Sequence, residues 1–277
     1  RSLLPSEYST IQAGLNAAGN KDTVLVAAGT YTENIIWPDV NGIRLISEGD
    51  SSNTIIDGNN NGSVVLINTS VDTTTLIKGF KIINGGGVNN GGGVYASSSI
   101  TISNCYFLNN SSDALYNSSN KLYVNYSRFE SNVDGAIRNT GNNLNINYCS
   151  FVNNGNTNTR GGAIRTDKAL NIYVNNSIFD NNHGEWGSAF YTESGSTRDE
   201  ANISFKNSSF TNHMNLGGQG IVYFNRYSNR EVIIDSCTFS KNSVRNDYGV
   251  IGIDFKGAKT VRISNSDFID NNYSIKS

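Results

Sequence analysis

Hydrophobic and polar residues alternate along most of this chain in short runs of period two, and the runs recur. Seven times a small residue is followed by any residue, a Phe, two more residues and then Asn or, once, His. The Phe of each copy is Phe107, Phe129, Phe151, Phe179, Phe210, Phe239 and Phe268, at spacings of 22, 22, 28, 31, 29 and 29 residues. A fixed motif with elastic spacing predicts a solenoid, one coil per repeat, with variable loops in the outer turns. The residues seven and five before each Phe form apolar columns, beginning Ile100/Ile102, Leu122/Val124 and Leu144/Ile146 and ending Val261/Ile263. Period two turns both columns inward. The small residue and the Phe also point inward, so one parity break, a bend, separates two strands. A further strand brings an inward column of Val94, Leu115, Ile137, Ile164, Phe190, Val222 and Ile251. The closing Asn of each copy is expected to form a ladder, its amide bonding the next amide and a turn's backbone, with His213 filling one slot.

The beginning of the chain differs. Ser9-Thr10-Ile11-Gln12 reads as a capping box, and Ile11, Leu15 and Ala18 fall on one helical face that ends near Gly19-Asn20. This short helix is expected to lid the first coil. Gly79-Phe80, followed by Asn84, reads as an early, looser copy of the repeat. The expectation is therefore all-β: a right-handed parallel β-helix of about ten coils in one domain spanning residues 1–277. Residues 1–22 form the N-terminal cap, 23–90 the opening coils and 91–277 the Phe-x-x-Asn coils.

Composition sharpens this picture in three places. Net charge is −2 with only 21 Lys and Arg, which leaves no basic footprint for nucleic acid. No apolar run approaches the roughly 18 residues of a membrane span. Cys105, Cys149 and Cys237 all sit two residues before the repeat Phe, on equivalent steps of one ladder. Cys105 and Cys149 then lie two coils apart, roughly 9.6 Å at strand spacing, so buried thiols are expected and a disulfide or metal site is not. The polar, strand-and-turn composition favours an extracellular or cell-surface setting. The chain starts at Arg1 without a signal-peptide core, which reads as a processed or excised piece.

The Phe-x-x-Asn motif together with Gly161-Gly162-Ala163-Ile164 resembles the repeats of the chlamydial polymorphic outer-membrane proteins and related bacterial surface proteins. The N-terminal stretch, Ile11-Gln12 through Thr23-Val24-Leu25-Val26 and Gly29 to Ile35, is similar to the opening of pectin-lyase-like β-helix proteins. The match is at family level, since Asp113-Ala114-Leu115 lacks the glycines and Gly220-Ile221 and Gly249-Val250 lack the Ala. What the resemblance implies is a surface-exposed, adhesin-like or structural segment.

Chemistry is sought on the outward rows. If the Val94 column points in, the next residue of each coil points out, giving Tyr95, Tyr116, Arg138, Arg165, Tyr191, Tyr223 and Gly252. Two residues later runs a second outward row of Ser97, Ser118, Thr140, Asp167, Glu193, Asn225 and Asp254. Flat aromatics and guanidinium planes beside hydrogen-bonding groups suit sugar rings, so Tyr95, Tyr116, Arg138, Arg165, Tyr191 and Tyr223 are the candidate ligand-binding strip. The same rows suit plain surface chemistry better still, because aromatics favour strands, Arg stacks on Tyr and exposed ion pairs contribute little.

The reading that follows is a non-catalytic, adhesin-like or envelope-structural β-helix with a glycan or cell-surface partner and no cofactor. The alternative is a polysaccharide lyase or glycoside hydrolase acting on an acidic polysaccharide. As a lyase it would use Arg165 or Lys168 as base, with Asp167, Glu193 and either Asp199 or Glu200 holding Ca²⁺. As a hydrolase it would use two carboxylates as acid and base. His183 and His213 read as structural. Gly85-Gly86-Gly87 and Gly91-Gly92-Gly93 are turns, because no Lys-Ser/Thr and no helix follows them. The Asn-x-Ser/Thr triplets at Asn68, Asn117, Asn125, Asn202 and Asn207 are expected by chance in so Asn-rich a chain. The last residues, Asn272 to Ser277, carry no amphipathic cap, so Ile275 and the final coil are expected to be covered by further coils or another subunit.

Overall fold

Alternating short strands and single-residue bends build every coil. The computed structural model describes residues 2–4, 7–167, 169–193, 201–215, 217, 219–225, 230–245, 249–254 and 260–272. The chain divides into two units, Arg1–Val133 and Asp134–Ser277. In each, successive coils contribute parallel strands to three faces, so the all-β parallel solenoid read from the repeats is the architecture found.

In the first unit the first face holds Thr23–Val26, Arg44–Ser47, Leu76–Lys78, Ile100–Ser103 and Lys121–Asn125. The second holds Gly29–Thr32, Thr54–Asp57, Lys81–Ile83, Tyr106–Leu108 and Arg128–Glu130. The third holds Ile35–Ile36, Val65–Ile67, Val94–Ala96 and Leu115–Asn117. The second unit repeats the scheme, its third face running Ile137–Asn139, Ile164–Asp167, Phe190–Glu193, Val222–Asn225 and Ile251–Asp254. Four coils in each unit carry all three strands, making about eight turns among the described residues. This is slightly fewer than the ten expected, because the last two strands of each unit do not close a turn within it.

The parity break has a specific cause. Asn104 and Asn109 adopt φ of 52° and 54°, and the equivalent residues Asn176 and Asn181 adopt 51° and 49°. One left-handed residue before the small residue, and one after the Phe, each turn the chain and reset which side faces in. Asn tolerates that conformation better than most residues, which explains its abundance at these steps. Inside, Phe107 stacks on Phe129 at 4.6 Å. In the second unit Phe151, Phe179, Phe210, Phe239 and Phe268 form a continuous column with centroid spacings of 4.8, 4.6, 4.7 and 4.9 Å. Each fully buried ring contributes about 1.5–3 kcal/mol.

The Asn ladder lies beside this column. Asn132 accepts from the amide and side chain of Asn110 and donates to Phe107 O at 3.2 Å. Asn182 serves Asn154 and Phe151 O in the same way. His213 fills the next slot, its Nδ1 accepting from the Asn182 amide at 3.1 Å while its own N–H donates to Asn242 Oδ1 at 3.0 Å. The small-residue column also bonds: the Cys105 amide donates to Ser127 Oγ and the Cys149 amide to Ser177 Oγ. The three Cys are buried and no disulfide joins them. Burial pushes the Cys105 thiol up to about 11, so it packs as a small neutral residue.

Two local expectations are corrected. The N-cap of helix Ile11–Ala17 is Thr10, not Ser9, and Gln12 closes no capping box. Gln12 instead grips the Ile36 backbone at both N–H and C=O, while Glu33 accepts from the Ile11 and Gln12 amides. The early repeat is also shifted by two residues. Ile82, not Phe80, pairs with Phe107, and Phe80 fills the slot that Cys105 occupies later, because Gly79 (φ 85°) and Asn84 (φ 54°) take the two left-handed steps. Phe268 is 43 % exposed and Ile269 49 %, in contrast to the buried Phe239; Ile275, singled out above, lies outside the described residues. Among the described residues no helix is long and apolar enough to cross a membrane.

Candidate functional site

The outward rows of the third face in the second unit bring the charged candidates together. Register aligns Arg138 with Arg165, Arg165 with Tyr191, Tyr191 with Tyr223, and Asp167 with Glu193. Asp167 sits between two guanidiniums: Arg165 Nε donates to Oδ1 at 3.2 Å and Arg138 Nε lies 3.5 Å from Oδ2. On the neighbouring strand Glu193 accepts from the Tyr191 hydroxyl at 3.1 Å, and that hydroxyl accepts from Asn225 Nδ2 at 3.0 Å. Parallel strands lie roughly 4.8 Å apart, so two carboxylates share one patch of surface.

Two residues that the periodic reading passed over complete the cluster. Arg160 reaches to within 3.8 Å of Glu193 Oε2, and its guanidinium carbon lies over the Trp186 ring, 4.0 Å from the centroid. Arg160 and Trp186 pair in a parallel bridge, supported by Gly161 N–H to Trp186 O at 2.9 Å. The turn is held tightly: Gly161 adopts φ 69°, and a Cβ on Gly162 would lie 1.9 Å from His183 O. That close approach is the physical reason for the Gly-Gly pair before Ala163. The available signal was length, since residues 155–160 and 184–186 are insertions beyond the shortest coil and carry an Arg and one of only two Trp.

The expected open strip is corrected at its aromatic end. Tyr191 and Tyr223 do point away from the core but are buried, because Trp186 packs against them at centroid distances of 6.2 and 6.5 Å. Burial raises the Tyr191 hydroxyl above its ordinary range, so it serves as a neutral donor to Glu193. Arg138, Arg165, Asp167 and Glu193 remain half-buried. Tyr95 and Tyr116 belong to the first unit, where they stack on each other at 5.1 Å. Lys168, Asp199 and Glu200 lie outside the described residues, as does the Asp254 side chain.

Among the described residues no group of three or more His, Cys, Asp or Glu gathers. Two carboxylates already engaged by guanidiniums are a poor donor set for Ca²⁺, which takes six to eight oxygens. His213 sits in the ladder, its titration depressed to about 4 by burial, and takes no part in this surface.

No protein-family model matches the chain, and no curated protein matches it. Solved structures do. A rice weevil pectin methylesterase matches at 12 % identity over 98 % of this chain and 88 % of its own, with a TM-score of 0.38. A carrot pectin methylesterase matches at 12 % identity over 97 % and 80 %, with a TM-score of 0.35. The A-module of a mannuronan C-5 epimerase from Azotobacter vinelandii matches at 12 % identity over 96 % and 92 %, also at 0.35. All three bear the names of carbohydrate-active enzymes. These names run against the non-catalytic, adhesin-like or envelope-structural role expected from the sequence, which is not taken further. The likeness is remote, so the chemistry below rests on the side chains themselves.

Proposed function

We propose that the second unit carries the active site of an enzyme that cleaves an acidic polysaccharide, with Asp167 and Glu193 as its two carboxylates. One observation carries this reading: two carboxylates aligned on adjacent strands are ringed by Arg138, Arg160 and Arg165. Three guanidiniums against two carboxyl groups leave the patch net positive on a chain whose net charge is −2. A local excess of fork-shaped donors suits a substrate bearing carboxylates.

Register sets Asp167 and Glu193 on adjacent strands roughly 4.8 Å apart, a placement from which two flexible side chains can reach the about 5–5.5 Å carboxyl separation of retaining glycosidases. Asp167, fixed by two guanidiniums, attacks the anomeric carbon as the Glu193 carboxylic acid gives its proton to the departing glycosidic oxygen. Water then attacks the glycosyl–Asp167 ester, Glu193 takes the water's proton, and both carboxyl groups return to their starting forms. Tyr191 and Arg160 hold Glu193 in place, and Trp186 shields Tyr191 from solvent. The Phe-x-x-Asn resemblance to surface-protein repeats and a polymeric substrate both support an extracellular or cell-surface setting.

The test is incubation with polygalacturonate and alginate while counting new reducing ends and following ultraviolet absorbance. Hydrolysis predicts reducing ends without an unsaturated product, and Asp167→Asn or Glu193→Gln should each lower the rate roughly 10²–10⁴-fold. Unsaturated product lost in Arg165→Ala would instead make the enzyme a lyase. No product from any acidic polysaccharide would overturn the reading.

A further inference from the structure

The third face of the first unit has a second opening with the opposite chemistry. A groove of about 420 Å³ lies between the outward row of that face and the Gly-rich segment 85–93. This is within the range of roughly 300–1,000 Å³ typical of ligand clefts. Its floor is an aligned apolar row: Ile36 pairs with Leu66, and Leu66 with Tyr95. Tyr95 is braced from the far side by the stacked ring of Tyr116. Ile36 is 58 % exposed and Val88, on the overhanging segment, 37 %. An unbroken apolar row left open to water on a strand face marks a site that something covers.

The walls are held in place rather than draped. A Cβ on Gly91 (φ 66°) would come within 2.9 Å of Tyr95 Cα and 3.0 Å of Tyr116 Cβ, so only Gly lets the segment pass this close to the rings. At the other end Gly62 and Gly86 form an antiparallel bridge. Gln12 clamps both backbone groups of Ile36 from the N-terminal helix. The two glycine triplets, read from the sequence as plain turns, thus flank the wall of a cleft formed by Val88, Asn89 and Asn90.

The lining decides what the cleft takes. Among the described residues around it, none carries a charge. The exposed amides of Asn61 and Asn89 stand at its rim and make no side-chain hydrogen bond within the described molecule. An apolar floor selects a ligand with a C–H face, and open amides select hydroxyls at its edge. The absence of charge gives a carboxylate or phosphate nothing to pair with and makes burying one costly. A pyranose ring without ionised groups satisfies all three conditions, its C–H face on Tyr95 and its hydroxyls on the amides.

We propose that this groove is a binding site for neutral saccharide rings, separate from the charged patch and independent of the two-carboxylate reading. The test uses the full chain, titrated calorimetrically with β-1,4-linked glucose, mannose and xylose hexaoses and with α-1,4-linked glucose hexaose. Hexagalacturonate is the charged control and an anilinonaphthalene dye the purely apolar one. At least one neutral hexaose is expected to saturate the protein. Tyr95→Ala and Val88→Asp should each weaken it tenfold or more, while Asp167→Asn leaves its affinity unchanged.

Val88→Asp is the deciding variant, because the exposed loop residue can change without disturbing the core; an unaltered melting temperature checks this, and Val88→Ser replaces it if melting falls. Retained binding in that variant overturns the proposal whatever Tyr95→Ala does. So does failure of every neutral hexaose to bind, or binding of the dye or hexagalacturonate alone. Turnover of acidic polysaccharide is scored separately, so either proposal can fail without the other.

Discussion

The two units are built alike on the inside and differ on the outside. In the first, the outward row of the third face is Ile36, Leu66, Tyr95 and Tyr116, uncharged and partly open. In the second, the equivalent row begins Arg138, Arg165, Tyr191 and is joined by Asp167 and Glu193. Inside, both stack Phe on Phe and Asn on Asn at nearly the same distances: 4.6 and 2.9 Å for Phe107–Phe129 and Asn110–Asn132, 4.8 and 3.0 Å for Phe151–Phe179 and Asn154–Asn182. Packing admits few solutions on the inside of a narrow coil, whereas the outside is free to vary, so chemistry is confined to the outward rows and the loops that reach over them.

Equal interiors imply equal costs. Phe129→Ala in the first unit and Phe179→Ala in the second should each lose about 3–5 kcal/mol. Urea unfolding can follow the units separately, because the chain's two Trp, Trp37 and Trp186, fall one in each. With the other Trp changed to Phe, each becomes a local reporter; a difference of several kcal/mol between the two Phe variants would break the comparison.

The next effect belongs to the second unit alone. Burial lowers the His213 imidazole from 6.5 to about 4, with Asp180 and His183 its titratable neighbours. Above pH 6.5 the ring is neutral whether the chain is folded or not, and this contribution to stability is complete. As pH falls toward 4 the unfolded chain takes up a proton that the folded one refuses, so stability drops by on the order of 3 kcal/mol and then levels off. His213→Asn restores the ladder residue and should flatten that stretch of the curve, read at Trp186. A curve unchanged by the substitution would show that His213 is not its source.

Smaller effects should again match between units. Asn132→Ala orphans the Asn110 amide and Asn182→Ala the Asn154 amide, each costing about 1–3 kcal/mol. At the surface, Arg128→Ala removes the pair with Glu130 at 2.7 Å and Arg160→Ala the looser one with Glu193, and neither should cost more than about 1 kcal/mol. Their difference lies in function: Arg160→Ala should raise KM for an acidic polysaccharide and Arg128→Ala should not. Equal KM values would remove Arg160 from the site.

Much of the fold was legible in residues because a strand's sidedness is local. The inward column Val94, Leu115, Ile137, Ile164, Phe190, Val222, Ile251 follows from period two and is buried from Val94 to Val222, with Ile251 in the last coil half-buried. The early coils were harder to read, since Gly79 and Asn84 carry the bends while Ile82 replaces the Phe that marks every later copy. At the candidate site, Arg138, Arg165, Asp167 and Glu193 were legible as outward neighbours, because register alone brings them together. Arg160 and Trp186 were not, because insertions obey no period and their bridge joins residues from successive coils.

The order of the residues, taken alone, settled which side chains of the regular coils enter and which leave, since two-residue alternation interrupted by left-handed steps, most often at Asn, fixes the parity of each strand. Tertiary structure decided what becomes of the residues that leave. Trp186 folds over Tyr191 and Tyr223 and removes them from water, while segment 85–93 stands off Ile36 and Leu66 and leaves a cleft. Those outcomes depend on contacts between loops distant in the chain, whose free energies come from shape and burial at a particular place rather than from any repeating pattern.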